Sequence, residues 1–141
     1  MAGTKRVFLD ANVLVAIAFR PQGQYSHLLK ATDVHYVTSE HILYEVAENL
    51  EDLDVDPQPF LASLRQTMEV TDQVTKLPVG LPLHDDEDRQ ALAEAIGSRC
   101  DEFVTYNSTD FAALYGQTVY GVFIRHAAEF RRLHAPSEPP K

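Results

Sequence analysis

Four acidic residues stand in this chain where a carboxylate can do chemistry. Asp10 directly follows the apolar run Val7-Phe8-Leu9, Glu45 lies inside SEHILYEVAENL, Asp88 inside HDDEDRQALAEAI, and Asp110 three residues after Asn107 in FVTYNSTDFAALY. A carboxylate at a strand's end, where the chain turns into a helix, is well placed to hold a metal over a cleft. Several carboxylates that converge cannot all remain ionised without a cation, and oxygen ligands of this type favour Mg²⁺ or Mn²⁺ over zinc. Such an ion lowers the pKa of bound water and stabilises developing negative charge, so four such places suggest metal-dependent chemistry.

Each residue also has a plainer use. Asp10 and Asn12 fit as caps of a helix starting near Val13, because Asp and Asn accept hydrogen bonds from the free amides of a helix start. Glu45 falls, with Asn49, on the border of the stripe Ile42, Leu43, Val46, Ala47 and Leu50, where a surface glutamate is the commoner occupant. Asn107 and Asp110 suit the cap and third position of a short helix. Asp88 is harder to dismiss. The macrodipole accounts for Asp85, Asp86 and Glu87 in a first turn, but Asp88 stands four residues before Leu92 and eight before Ile96, on the apolar face of its helix.

The elements that would position these groups alternate. Val7–Leu9 and Val34–Thr38 read as strands. Val13–Phe19 and Tyr25–Ala31 read as helices parted by Pro21-Gln22-Gly23, and Ser39 as the cap of a helix to about Leu53. A helix over Pro59–Glu69, a β-branched run Val70–Leu77 and the loop Pro78–Pro82 lead to a helix over Asp86–Ser98. A strand Glu102–Thr105, a short helix Ser108–Tyr115, a strand Val119–Ile124 and a last helix to about Leu133 complete the reading. Strands separated by helices predict an α/β fold, a three-layer α/β/α sandwich on a central parallel sheet, with ligands bound beyond the carboxyl ends of the strands. One domain over residues 1–134 and a flexible Pro-rich tail over 135–141 are expected.

Composition limits the function. With 141 residues and 45% apolar content the chain can bury a core unaided, and its single Cys100 excludes an internal disulfide or a cysteine zinc cluster. No apolar stretch approaches the roughly 20 residues that span a bilayer, so a cytoplasmic protein away from membranes is expected. Twelve basic against 21 acidic residues, a net charge of -9, argue against a nucleic-acid partner unless cations neutralise the acids. Lys5, Arg6, Arg20, Arg125, Arg131 and Arg132 are candidates for a local basic patch. The six histidines, His41 among them, are scattered without metal-ligand spacing, although His84 lies close to Asp85.

The motifs VFLDANVLVAIA, SEHILYEVAENL, HDDEDRQALAEA and FVTYNSTDF, with the closing VYGVFIRHAAEFRRL, together resemble the PIN-domain ribonuclease family over about residues 5 to 133. The resemblance is closest to the VapC-like branch, the toxin components of toxin–antitoxin modules. It implies that Asp10, Glu45, Asp88 and Asp110 are the catalytic, metal-binding acids, with Asn107 a further ligand where many members carry an aspartate. Asn12, Asp85 and Thr105 fall at supporting positions. It further implies Mg²⁺ or Mn²⁺ as cofactor, RNA as substrate, a 5′-phosphate product, a cognate antitoxin and a homodimer. The competing readings are another Mg²⁺-dependent phosphohydrolase, or a catalytically weak RNA- or protein-binding module with the same fold.

Overall fold

The computed structural model describes residues 4–19, 33–74, 76–107 and 109–134. The expected helix Tyr25–Ala31, Arg20 and the tail 135–141 lie outside the described residues. Five strands run parallel. In chain order the elements are β1 (Lys5–Leu9), α1 (Ala11–Phe19), β2 (Val34–Ser39), α2 (Glu40–Asp52), α3 (Gln58–Thr67), β3 (Glu69–Thr71), α4 (Asp86–Gly97), β4 (Glu102–Thr105), β5 (Thr118–Val119), β6 (Val122–His126) and α5 (Ala127–His134).

The sheet order is β3-β2-β1-β4-β6-β5. From β1 the chain first builds outward through β2 and β3, then returns to start β4 on the other side of β1. The β1–β4 boundary is therefore the switch point at which connections diverge and open a crevice above the strand ends. Val7, Phe8 and Leu9 are all buried, as are all four residues of β4. A strand buried on alternate sides needs both sheet faces covered by helices, so the near-continuous apolar runs read from the sequence are those of central parallel strands. Phe8, Phe103 and Phe111 stack through the core at ring separations of 5.6 and 5.2 Å.

Local sequence sets the two helices that carry the inner acids. Ser39 caps α2 by accepting from the Ile42 amide at 3.1 Å, and Ile42, Leu43, Val46 and Leu50 bury the expected stripe. Asp85 caps α4, its Oδ1 accepting from the amides of Glu87 and Asp88 at 2.9 and 3.1 Å. α1 is apolar on nearly every side and is sandwiched against α2 and β4, as an all-round apolar helix must be.

Two expectations are corrected. The segment read as one strand, Val119–Ile124, is a hairpin: Tyr120 and Gly121 both take positive φ (48° and 84°), and β5 folds back antiparallel on β6. The sheet is therefore mixed at this edge. A two-residue turn with both residues left-handed matches the strand twist, and Gly121 takes that conformation freely. The short helix expected near Ser108–Tyr115 reduces to a single 3₁₀ turn, Ala112–Leu114, because the polar groups of Asn107 and Asp110 organise the preceding turn themselves.

Candidate active site

Asp10 ends β1 at the switch point. Its amide still bonds to Val104 O at 3.1 Å, while its carbonyl accepts from Val13 and Leu14 to begin α1. The side chain is 7% exposed, with Oδ1 accepting from the Ala11 amide at 2.9 Å and Oδ2 from the Thr105 hydroxyl at 2.9 Å. Thr105, fully buried at the end of β4, is the junction of the site. With its one proton directed to Asp10, its oxygen accepts from Asn12 Nδ2 at 3.0 Å and from the Asn107 amide at 3.2 Å. Asn12 and Thr105 thus hold the Asp10 carboxylate in one orientation across two strands. Burial raises the Asp10 pKa against the lowering by Thr105, Ala11 and the nearby His41.

Glu45 and Asp88 complete the inner group. Burial, then the charges of Asp10, Glu87, Asp88 and Glu94, push Glu45 up to about 8. Asp88 is pushed up to about 8 by burial first, then by its contact with Asp110 and the charges of Asp10, Asp110 and Asp85. Two carboxylates bond to each other only when they share a proton, and Asp88 Oδ2 has no N–H or O–H donor among the described residues. Asp10, Glu45 and Asp88 are therefore brought together as mutually repelling acids.

Asn107 and Asp110 lie on the rim. Asn107 Oδ1 accepts from the amides of Thr109 and Asp110, both at 3.0 Å, and its Nδ2 donates to Asp110 Oδ2 at 3.0 Å. That bond, with Asp88 and His84, holds the fully exposed Asp110 below the usual carboxylate range. The Asn107 side chain thus bonds within its own turn, its oxygen to the chain and its nitrogen to Asp110. Tyr115 supports the same corner, donating to Asn107 O at 2.8 Å. Its phenol is pushed up to about 12 by burial and by Asp10.

Sequence reasoning missed two further groups. Glu94 is fully buried, where it accepts from Ser39 Oγ at 2.5 Å, Gln90 Nε2 at 2.8 Å and the Val74 amide at 3.1 Å. It ties the capped start of α2 to the middle of α4. His41, one helical turn before Glu45, places Nε2 2.9 Å from Glu45 Oε1, and the available signal was that four-residue spacing. Of the six basic residues considered for a local patch, three are paired with acids. Lys5 and Arg125 pair with Glu102, Arg125 also with Glu129, and Arg6 forks onto Glu69.

A cavity of about 260 Å³ opens beside the site, lined by Glu45, Glu48, Asn49, Asp52 and Glu87. As the side chains stand, no three His, Cys, Asp or Glu groups among the described residues close on one point. The donor set nevertheless fits a hard divalent cation. Glu45 and Asp88 each carry a shielded carboxylate oxygen without a donor, and the shared positive charge they lack is what a cation would bring.

A family model for the PIN domain matches residues 6–109. No curated protein sequence matches the chain significantly. Among solved structures the fold is similar to a chain of the Rickettsia felis VapBC2 assembly bound to a DNA fragment from its promoter. That match has a TM-score of 0.66 and 17% identity, covering 86% of this chain and 98% of that one. It is similar also to Mycobacterium tuberculosis VapC20, a sarcin-ricin loop cleaving toxin, with a TM-score of 0.59 and 16% identity over 76% and 93% of the two chains. A Klebsiella pneumoniae toxin–antitoxin complex contributes a third match, with a TM-score of 0.61 and 22% identity over 82% and 94%. These neighbours share the architecture on which the acids are mounted, and the family model spans the segments that carry Asp10, Glu45, Asp88 and Asn107: the chain belongs to the PIN-domain family.

Proposed function

We propose that this chain is a metal-dependent endoribonuclease, acting in the cytoplasm as the toxin of a toxin–antitoxin pair. The observation that carries the reading is the inner acid group. Asp10, Glu45 and Asp88 come from three elements to the switch-point crevice, each with its pKa raised by burial, and two of them hold an oxygen without a donor. Acids with pKa values perturbed by burial and by one another in a crevice mark a functional site, and a cation would neutralise this group. The solved neighbours support RNA as the substrate class and a protein antitoxin as partner, since one is a cleaving toxin and another a toxin–antitoxin complex. Pairing into a homodimer is part of the same proposal.

Bound Mg²⁺ or Mn²⁺ would supply the activated water and the charge neutralisation at the phosphodiester. The chain's own residues do the rest. Asp10, Glu45 and Asp88 would hold the ion, and Thr105 and Asn12 fix Asp10 so that its carboxylate does not reorganise during the reaction. The Asn107 turn presents Asp110 at the solvent side, opposite the buried Asp10. No serine or cysteine nucleophile is required.

The test is cleavage of structured RNA in the presence of Mg²⁺ or Mn²⁺, with EDTA and Asp10→Asn as controls. The wild type is expected to give 5′-phosphate products, and Asp10→Asn to lose at least about 100-fold, as when one charge-stabilising group is removed from a reaction centre. Equal cleavage by the variant would sink the nuclease reading. Metal-independent RNA binding without product would replace it by a binding module.

A further inference from the structure

We propose that His41 is a nitrogen ligand of the same metal centre, paired with Glu45, and that it turns the site's preference from Mg²⁺ toward Mn²⁺. The proposal rests on the reading of the acid group as a cation site.

His41 and Glu45 are four residues apart on α2, so their side chains leave the helix on one face, one above the other. The Ser39 cap fixes the turn that carries His41. His41 Nε2 and Glu45 Oε1 approach to 2.9 Å, yet the contact lacks hydrogen-bond geometry. Both atoms are shielded from solvent and neither has another hydrogen-bond partner. Buried polar atoms in native structures are nearly always bonded, and exceptions call for an explanation such as an absent ion. Adjacent ligands of an octahedral ion at about 2.1 Å stand about 3 Å apart, so the 2.9 Å separation of this i, i+4 pair suits two donors sharing one coordination sphere as well as it suits an ion pair.

The neighbours of the pair point the same way. His41 is also near enough to act on the charge of Asp10. The group it touches is a carboxylate, and Asp10, Glu87, Asp88 and Glu94 act in turn on Glu45. One imidazole added to carboxylates changes the chemistry of the donor set. Mg²⁺ takes oxygen ligands and keeps its waters, whereas first-row transition cations accept imidazole readily.

The experiment measures metal binding by the full-length protein, apart from cleavage. Titration calorimetry is run with Mn²⁺ and with Mg²⁺ on the wild type, His41→Gln and Asp10→Asn, and the electron-nuclear spectrum of bound Mn²⁺ is recorded for ¹⁴N coupling. The wild type is expected to bind Mn²⁺ at least about 10-fold more tightly than Mg²⁺ and to show nitrogen coupling. His41→Gln should lose about 10-fold in Mn²⁺ affinity, little in Mg²⁺ affinity, and the coupling altogether. Absence of nitrogen coupling in the wild type overturns the assignment whether or not the variant folds. Unchanged Mn²⁺ affinity in a folded His41→Gln overturns it too. In either case the acid site itself stands if Asp10→Asn abolishes binding of both ions. A wild type that binds neither ion removes both readings.

Discussion

Around Glu69 and Glu102, the first residues of β3 and β4, the fold pairs its charges. Lys5 and Arg125 both reach Glu102 at 2.6 Å, and Arg6 forks onto Glu69 at 3.0 and 3.1 Å with His35 on the same carboxylate at 2.8 Å. Where the strands end, Asp10, Glu45 and Asp88 act on one another, and no lysine or arginine of the described residues is among the causes of their shifts. Glu69 is accordingly held down to about 2 by Arg6 and His35, while Glu45 and Asp88 are pushed up to about 8. Between the two edges, Glu94 shows that this chain can bury an acid quietly, with three neutral donors and no cation. Among the described residues the strand ends therefore carry a deficit of positive charge. The net charge of -9, which argues against nucleic acid as a plain sum, is partly the footprint of that deficit.

The largest effect on stability should come from breaking the paired edge. The Glu102 side chain is 4% exposed and that of Arg125 16%, so Glu102→Gln leaves a shielded guanidinium with Glu129 as its remaining acid. Removing one partner of a buried pair costs about 3 kcal/mol, and urea unfolding should show that loss while metal affinity is retained. A loss below about 1 kcal/mol would mean that the paired edge is no firmer than ordinary surface ion pairs, and the contrast between the edges would fail.

Much of this contrast could be read from the chain, because it rests on local rules. Asp88 takes the apolar face of α4 by phase alone, and Ser39 and Asp85 cap their helices as short polar residues before apolar runs do. β4 ends with the aromatic and β-branched run Phe103-Val104-Thr105. Other parts were fixed by partners remote in sequence. Nothing within LAEAI announces that Glu94 is buried, since its main acceptor contact is with Ser39, 55 residues away. Tyr120-Gly121 was hidden inside a continuous apolar run, although the glycine was a turn signal. The basic residues misled for the same reason: Lys5, Arg6 and Arg125 are free in the sequence and are claimed in the fold by acids that only the sheet brings near.

The two edges should also respond oppositely to pH. For Glu45 and Asp88 the folded pKa lies above the unfolded value, so without metal their contribution to stability is full below about pH 4 and is lost as pH rises toward 8. For Glu69 the folded pKa lies below the unfolded value, so its contribution is full above about pH 4.5 and is lost as pH falls toward 2. Of these three carboxyls only Glu45 and Asp88 titrate between about pH 5 and about pH 8. Unfolding in EDTA should show stability falling by on the order of 1 kcal/mol across that window, after allowing for solvent and for a titration shared among the acids. The double variant Glu45→Gln, Asp88→Asn should flatten it. Saturating Mg²⁺ or Mn²⁺ should reverse the slope in the wild type, because the ion binds the deprotonated acids and the folded state alone. A flat wild-type profile in EDTA would show that these acids are not destabilised by folding.

The smallest effect separates pairing from burial as the property that matters. Arg65 on α3 forks onto Glu40 at the start of α2 at 2.9 and 2.7 Å, a geometry as good as that of any pair at the strand starts. Both side chains are about half exposed, at 50% and 45%. Water already solvates each charge, so the pair gains little Coulomb energy and gives up the freedom of two long side chains. Arg65→Ala should cost about 0.5 kcal/mol, reduced further by added salt, and leave metal binding and cleavage unchanged. A cost as large as that of Glu102→Gln would show that bidentate geometry, rather than burial, firms the paired edge. The unpaired acids at the strand ends would then be destabilising for lack of partners alone, and an arginine delivered to the site by another chain could quiet them as well as a metal ion.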